Sequence, residues 1–133
     1  MATENDYLSA ISRIFTSHDE SILIGIGDDG AVLASPENSV VLSTDMAVEG
    51  DHFKREWSSL FEIGAKITAA NLADIYAMGG KPTHLLVAAA IPENFSLKDV
   101  EELARGISDE AKKVRVSVVG GDLARSPVLT IAI

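Results

Sequence analysis

Apolar positions along the chain alternate between a helical spacing and a strand-like spacing. Over residues 6–17 (DYLSAISRIFTS) they recur every three or four positions, which predicts an amphipathic helix. A second helix is predicted from Ser59, which forms a capping box with Glu62, to the stop signal at Gly79 and Gly80. Because this segment is apolar on almost every side, we expect the second helix to be deeply buried.

Runs typical of β-strands lie between and after the helices. The stretches SILIGIGDDGAVL (21–33) and VVLSTD (40–45) are separated by the turn signal SPENS and are predicted to pair. A third helix begins at Ser96, with acids early and lysines late, as the helix dipole favours. Further strands are predicted at THLLVAAAIP (83–92), VRVSVVGGD (114–122) and PVLTIAI (127–133). The order predicts an α+β domain in which helices cover a mixed β-sheet.

Composition narrows the class of protein. A length of 133 residues fits one domain with a real core. No apolar run approaches the ~20 residues of a membrane helix, and the polar N-terminus resembles neither a signal peptide nor a transit peptide. We therefore expect a soluble, cytoplasmic protein. The absence of cysteine excludes disulfides, thiolate zinc sites and cysteine nucleophiles.

The charge balance argues against polyanionic partners. Eleven basic residues against twenty acidic ones give a net charge of −9, which disfavours nucleic acid and anionic membranes. A phosphate-bearing ligand would be repelled as well, unless cations came with it. The alternative is that the acidity serves solubility alone.

Aspartates follow several of the predicted strands. The pair Asp28-Asp29 comes after ILIGIG, Asp45 after VVLST and Asp122 after SVVGG. Strand ends of this kind commonly border a ligand crevice. Asp74 lies instead on the second helix, on a face shared with apolar residues, where a buried carboxylate would need a partner or a metal ion.

Each of these positions also has a purely structural interpretation. GIGDDG could be a tight turn, VVGGD a left-handed turn, and Asp45 an ordinary turn residue. Asp74 could pair with Lys66 or Lys81, and His52 could be a packing histidine. The acids near this histidine are interpreted as a solvated loop face: Glu49, Asp51 and Glu56.

Taken together, the positions favour magnesium and a phosphate-bearing ligand. Mg²⁺ prefers a few carboxylates, keeps several waters and takes substrate phosphates as its remaining ligands. A calcium loop would need its oxygens within about twelve consecutive residues, and the three histidines lack zinc-ligand spacing. Glycines would let backbone amides approach a phosphate at Gly25, Gly27, Gly120 and Gly121. Without a GxxxxGK[ST] sequence, a P-loop kinase is excluded as far as this chain goes.

Four segments, in this order, resemble one family. GIGDDGAVL, LSTDMAVEGDHF, KITAANLADIYAMGGKPTHLLVAAAIP and VVGGDLARSP are similar to the N-terminal half of thiamine-monophosphate kinases, members of the superfamily that includes aminoimidazole ribonucleotide synthetase. The resemblance covers residues 22–133, and its specific parts are STD…EGxHF and NLxDxxAMG. The chain departs from the family at Leu123, Ser126 and Gly30.

The resemblance implies an activity and its residues. The activity is ATP-dependent transfer of a phosphoryl group onto thiamine monophosphate, which gives thiamine diphosphate, with Mg²⁺ as cofactor and without a catalytic nucleophile. Nucleotide contacts are implied at Gly121 and Asp122, and a substrate contact at His52. The implied magnesium ligands are Asp29, Ser43, Thr44, Asp45, Asp74 and Asp122.

The resemblance also implies an architecture. Residues 1–133 would be the N-terminal metal-binding, nucleotide-binding and dimerising domain of a longer enzyme, whose C-terminal domain is absent from this chain. Family N-terminal domains pair into a shared β-barrel, so we expect a homodimer that also covers the apolar strand ending at Ile133. The alternatives are another ATP-dependent enzyme of the superfamily and a non-catalytic dimerisation module.

Overall fold

A computed structural model describes residues 3–27, 30–34 and 40–133 of the chain. Its helices are α1 (Glu4–Ile14), α2 (Leu60–Ala77) and α3 (Leu97–Lys113). Its strands are β1 (Ile22–Ile24), β2 (Val32–Leu33), β3 (Met46–Val48), β4 (His84–Ile91), β5 (Ser117–Arg125) and β6 (Thr130–Ala132). β1 and β2 form a small antiparallel pair, and the other four strands form one mixed sheet in the order β3-β6-β4-β5. The predicted α+β class with a mixed sheet is therefore confirmed.

The last strand of the chain lies inside the four-stranded sheet. β4 and β5 are parallel and are joined through α3, since parallel neighbours need a long crossover. β6 runs antiparallel between β3 and β4, and backbone hydrogen bonds between Asp45 and Ile133 extend its pairing with β3. The expectation that a second copy covers the strand ending at Ile133 lacks its reason, because the chain itself pairs both sides of this strand.

A bulge in β5 decides which of its side chains face the helices. The register of β5 against β4 shifts at Val119, which is an extra residue between two pairs. The alternation beyond it is inverted, so Leu123 rather than Asp122 lies on the buried side. Gly121 packs so closely on β4 that any side chain would overlap the carbonyl oxygen of Val87. The predicted glycine turn is wrong, because β5 continues through these residues to Arg125.

The two sides of the sheet differ in their surroundings. One row of directly opposite residues is buried or half-buried: Ala47, Ile131, Ala89 and Leu123. The adjacent row points the other way and is exposed or half-buried: Met46, Ala132, Ala88 and Asp122. We call these two sides the inner face and the outer face.

Helices α2 and α3 pack against each other at two glycines. A side chain on Gly64 would approach the carbonyl oxygen of Leu103 to 2.5 Å, and one on Gly106 would overlap the backbone of Phe61. The close approach of the two helices therefore requires hydrogen at both positions. It buries one stripe of α2: Leu60, Ile63, Gly64, Ile67, Thr68, Asn71 and Leu72.

The opposite side of α2 is exposed, contrary to expectation. Asp74 and Tyr76 lie there, so the premise that Asp74 is a buried carboxylate is wrong. The prediction failed because alanine makes a helix apolar without deciding which side is buried. The exposed alanines are Ala69, Ala70, Ala73 and Ala77.

The predicted strand at 40–45 is also absent. These residues are irregular, and β3 begins only at Met46. The run 21–33 instead supplies both β1 and β2, while the turn signal at 35–39 lies outside the described residues. Asp45 consequently precedes a strand, although the sequence had placed it after one.

Each helix begins with a reciprocal capping box, which was predicted for α2, and α3 begins after Ser96 as predicted. The pairs are Thr3 with Asp6, Ser59 with Glu62, and Ser96 with Asp99. α1 ends at Ile14, three residues before the predicted end. In the described part of the chain, no helix combines the length and the apolar character needed to cross a membrane.

Candidate metal and nucleotide site

A buried amide holds the segment 43–45 against α2. The side-chain oxygen of Asn71 accepts a hydrogen bond from the Asp45 backbone N–H at 3.1 Å, and its nitrogen donates to the Ile67 carbonyl at 3.0 Å. The Met46 N–H donates to Oδ1 of Asp45 at 2.8 Å, which leaves Oδ2 for another partner. Ser43, Thr44 and Asp45 are all exposed. The segment therefore presents two hydroxyls and a carboxylate beside the helix.

Asp74 lies one helical turn beyond Asn71. Residues three apart are neighbours on a helix surface, so Asp74 and the segment 43–45 both border the same amide. Asp74 is exposed, and no lysine or arginine among the described residues lies within 4.0 Å of its carboxylate. The alternative pairing with Lys66 or Lys81 is not formed, which leaves this carboxylate available to a ligand.

Asp122 lies on the outer face of β5 and is exposed. The residues after the GDD motif pass close to this part of the sheet, since a methyl group built on Gly120 would lie 4.0 Å from Cβ of Ala31. Asp29, which the resemblance implied as a ligand, lies outside the described residues. Asp122 is the implied ligand that the structure describes on β5.

The carboxylates do not form one cluster. Asp45 borders β3 and Asp122 lies on β5, the two edge strands of the sheet, three strand spacings or about 14 Å apart. Mg²⁺ holds its oxygen ligands at about 2.1 Å, so these two side chains cannot share an ion within one chain. Across residues 3–27, 30–34 and 40–133, no three Asp, Glu or His side chains gather as a metal-binding group.

The chemistry of these side chains nevertheless suits a hard cation. Asp45, Asp74 and Asp122 are exposed, and no described lysine or arginine forms a salt bridge with them. Carboxylate oxygens of this kind are the ligands that Mg²⁺ takes together with water and substrate phosphates. The residues present therefore fit magnesium, with Asp45 and Asp122 as ligands of separate ions.

His52 lies in a tight loop after β3 and is not packed in the core. Its Nδ1 accepts a hydrogen bond from the Val48 N–H at 3.2 Å, so the neutral ring carries its proton on Nε2. Asp51 lies 3.5 Å from the same Nδ1, a pairing that needs a protonated ring and competes with the backbone bond. The side chain is 51% exposed. The Nε2–H group can therefore donate to a ligand.

Glu49 anchors the His52 loop and is not part of a solvated face. Its Oε1 accepts a hydrogen bond from Nε of Arg55 at 2.6 Å, and its Oε2 accepts one from the Leu129 N–H at 3.3 Å. Asp51 and Glu56 are exposed, as expected. An open cleft of about 470 Å³ beside the loop is lined by Glu49, Gly50, Lys54, Arg55 and Glu56.

Comparison with known proteins relates this arrangement to one family. Residues 27–133 match the family model of the AIR synthase related protein, N-terminal domain. A thiamine-monophosphate kinase from Corynebacterium glutamicum is 39% identical over 125 residues, which are 92% of this chain and 37% of the relative. The chain thus spans a little over a third of the length of this curated relative.

Two solved structures are similar in fold and sequence. A crystal structure of thiamine-monophosphate kinase from Stenotrophomonas maltophilia K279a matches with a TM-score of 0.77 and 33% identity, covering 96% of this chain and 39% of that one. The structure of AaThiL complexed with AMPPCP and TMP matches with a TM-score of 0.65 and 30% identity, covering 68% and 29%.

Proposed function

Because the chain belongs to the AIR synthase related family through its N-terminal domain, we propose that it is the metal-binding and nucleotide-binding domain of a thiamine-monophosphate kinase. The reaction would transfer the γ-phosphoryl group of ATP to thiamine monophosphate, giving thiamine diphosphate and ADP, and would take place in the cytoplasm. The observation that carries this proposal is the 39% identity to a thiamine-monophosphate kinase over 92% of the chain. AaThiL has been solved with AMPPCP and TMP, ligands of the two kinds that the reaction requires.

The proposed reaction needs positioning and charge neutralisation more than covalent chemistry. A phosphate oxygen of thiamine monophosphate would attack the γ-phosphorus in line while the bond to the ADP oxygen breaks, so no protein nucleophile is required. Bound magnesium would neutralise phosphate charge. Asp45 and Asp122 would belong to separate magnesium ions. The residues that would hold these ions are Asp29, Ser43, Thr44, Asp45, Asp74 and Asp122.

The chain's own residues would position the two substrates. Gly121 and Asp122 would contact the nucleotide, although Gly121 also has a packing reason in its close approach to Val87. The Nε2–H group of His52 would donate to the phosphate of thiamine monophosphate. The anchoring of its loop by Glu49 supports this role, because a fixed donor loses less entropy on binding.

We also propose that the chain forms a homodimer through the outer face, with the two sheets completing a β-barrel. Leu86 is 59% exposed and Met46 is 54% exposed on this face, among alanines. A contiguous apolar surface of this kind is typical of a protein interface. The paired β6 strand needs no such cover, so the outer face rather than a strand edge supports the dimer.

The metal role of Asp74 is tested by calorimetric titration of AMPPCP with Mg²⁺ into the chain. Asp74→Asn removes one ligand charge, and we expect affinity to fall at least tenfold. Stability should change by less than about 0.5 kcal/mol, because the side chain is exposed. Asp109→Asn, an exposed acid on α3, is the matched control and should bind like the wild type. Equal affinities for wild type and Asp74→Asn would contradict the proposed ligand.

The acceptor is tested separately by activity. Assays of the gene product at full length compare thiamine monophosphate with the purine intermediate used by aminoimidazole ribonucleotide synthetase. The proposal predicts turnover of thiamine monophosphate alone. Turnover of the purine intermediate alone would assign another enzyme of the superfamily, and turnover of neither would favour a non-catalytic module.

The dimer is tested by sedimentation of a charged variant of the outer face. Leu86→Glu places a carboxylate in the proposed interface, and we expect a folded monomer where the wild type is a dimer. Leu8→Glu changes a leucine on α1 that is 42% exposed, and should leave the dimer intact. A monomeric wild type, or a Leu86→Glu variant that remains dimeric, would contradict this interface.

A further inference from the structure

A cavity of about 340 Å³ lies near the starts of the parallel strands β4 and β5, away from the residues assigned above. Its walls come from the loop after α1, the last turn of α3 and the first residues of β5. This volume is within the range of small-molecule sites. We refer to it as the α1–α3 cavity.

One wall of the α1–α3 cavity is cationic in a chain whose net charge is −9. Lys112 and Arg115 line it, and neither lies within 4.0 Å of a carboxylate in the part of the chain that the structure describes. Lys113, which follows Lys112 in the chain, instead forms a salt bridge with Glu110 at 2.6 Å. His18 adds a third nitrogen-bearing side chain. These groups suit an anion.

The acid in the lining, Asp19, is engaged elsewhere. Its Oδ1 accepts hydrogen bonds from the Ser21 hydroxyl at 2.7 Å and the Ser21 N–H at 2.9 Å, while His84 Nε2 lies 3.2 Å from Oδ2. The Ser21 hydroxyl and N–H, with smaller help from His84, hold the pKa of Asp19 below its usual value. Asp19 therefore keeps its negative charge, but among the described residues it forms a salt bridge with neither Lys112 nor Arg115, so the two cations outnumber this acid in the lining.

The backbone at Arg115 adds an independent sign of function. Arg115 has φ of 61° in the cap of α3, where its N–H donates to the Lys112 carbonyl at 3.1 Å and the Val116 N–H donates to Ala111 at 3.0 Å. Glycine is the usual residue at this left-handed position. Non-glycine residues are uncommon at such positions and cluster at functional sites, and the charge of this arginine is unpaired among the described residues.

We propose that the α1–α3 cavity binds a small molecule that joins a phosphate group to a compact apolar part. Lys112 and Arg115 would hold the phosphate, since two cationic side chains match a dianion and guanidinium binds phosphate through two hydrogen bonds. Phe15 and Val116 provide the apolar wall. The helix dipole disfavours an anion at the end of α3, but the capping bonds already occupy the carbonyls of Ala111 and Lys112.

The proposal is tested by NMR titration of phenyl phosphate at constant ionic strength, with a chelator present so that metal-dependent binding is silent. We expect saturable shifts of the amides of residues 15–19 and 112–118. Arg115→Gly and Lys112→Ala should each weaken binding at least tenfold. Lys113→Ala, whose side chain pairs with Glu110, should keep the wild-type affinity.

Arg115→Gly also separates binding from folding. Glycine suits the φ of 61°, so the variant should melt at the same or a higher temperature while losing the ligand. Inorganic phosphate should shift the same amides more weakly, and phenol should not. Unsaturable shifts, shifts confined to residues 43–53, full affinity in Arg115→Gly, or phenol binding as tightly as phenyl phosphate would overturn the proposal.

Discussion

The inner and outer faces of the sheet belong to the same strands but are used differently. On the inner face, Ile131 is completely buried (0% exposed) in the hydrophobic core. On the outer face, Met46 and Leu86 are more than half exposed, and Asp122 stands among alanines. The single inserted residue at Val119 decides that Asp122 belongs to the outer side. The comparison teaches that the core of the chain packs on the inner face, whereas the outer face carries a candidate metal ligand, Asp122.

The largest expected effect comes from disrupting the close packing of α2 against α3. Gly106→Ala would force a methyl group into the backbone of Phe61, and we expect a loss of about 3 kcal/mol or more, or failure to fold. Urea denaturation followed by circular dichroism measures it. Gly30→Ala is the control, because a methyl group there would meet nothing within 4 Å. Equal midpoints for the two variants would show that the α2–α3 approach can relax.

A direct comparison of the two faces comes next in size. Ile131→Ala on the inner face should cost about 2–5 kcal/mol, because it leaves a cavity in a fully buried site. Met46→Ala on the neighbouring outer row should cost less than about 1 kcal/mol in the monomer. Both are read from urea midpoints at low protein concentration. Equal losses would mean that the outer face is covered in solution.

The same urea measurement, repeated at several protein concentrations, tests the proposed dimer. If the outer faces pair, the apparent stability of the wild type should rise with protein concentration by mass action. The loss caused by Met46→Ala should then grow with concentration, whereas the loss caused by Ile131→Ala should depend on it less. If the stability losses caused by the two substitutions do not depend on protein concentration, the outer face does not bind a second copy of the chain.

Local signals in the sequence predicted the helices well. The capping serines at Ser59 and Ser96 and the stop at Gly79 are short-range features, and the structure has them where the sequence predicted. The prediction of a strand at residues 40–45 was wrong for the opposite reason, because strand pairing depends on distant residues. β3 is defined by pairing with β6, more than eighty residues later, which no local pattern reveals.

The candidate site was predicted mainly through resemblance to a family. Spacing alone could not show that the bulge turns Asp122 outward, or that Glu49 reaches both Arg55 and the Leu129 backbone. The sequence does not indicate a role for Asn71, because an asparagine inside a helix carries no local structural signal. Its role depends on the distant Asp45 N–H. Contacts across the sheet and between segments therefore account for what the sequence left out.

The smallest expected effect is a loss of stability at acidic pH, which acts through the capping carboxylates of α1 and α2. The Ser59 N–H, and secondarily its hydroxyl, lower the pKa of Glu62, and Thr3 lowers the pKa of Asp6 in the same way. A carboxylate with a lowered folded-state pKa stabilises the protein above its unfolded pKa. That contribution is lost as the pH falls through the folded value. Stability should therefore be flat above about pH 5 and fall below about pH 4.

Glu62→Gln isolates this charge, because glutamine can still complete the capping box at the same position. We expect the variant to melt slightly below the wild type at pH 7, and the gap to shrink as the pH approaches 3, where the wild-type carboxylate is protonated as well. Thermal melts in steps of pH measure the gap. Since Glu62 is exposed, the gap should be small. A gap that stays constant with pH would mean that the capping box of α2 acts through its shape, and that acid weakens the inner side through other groups.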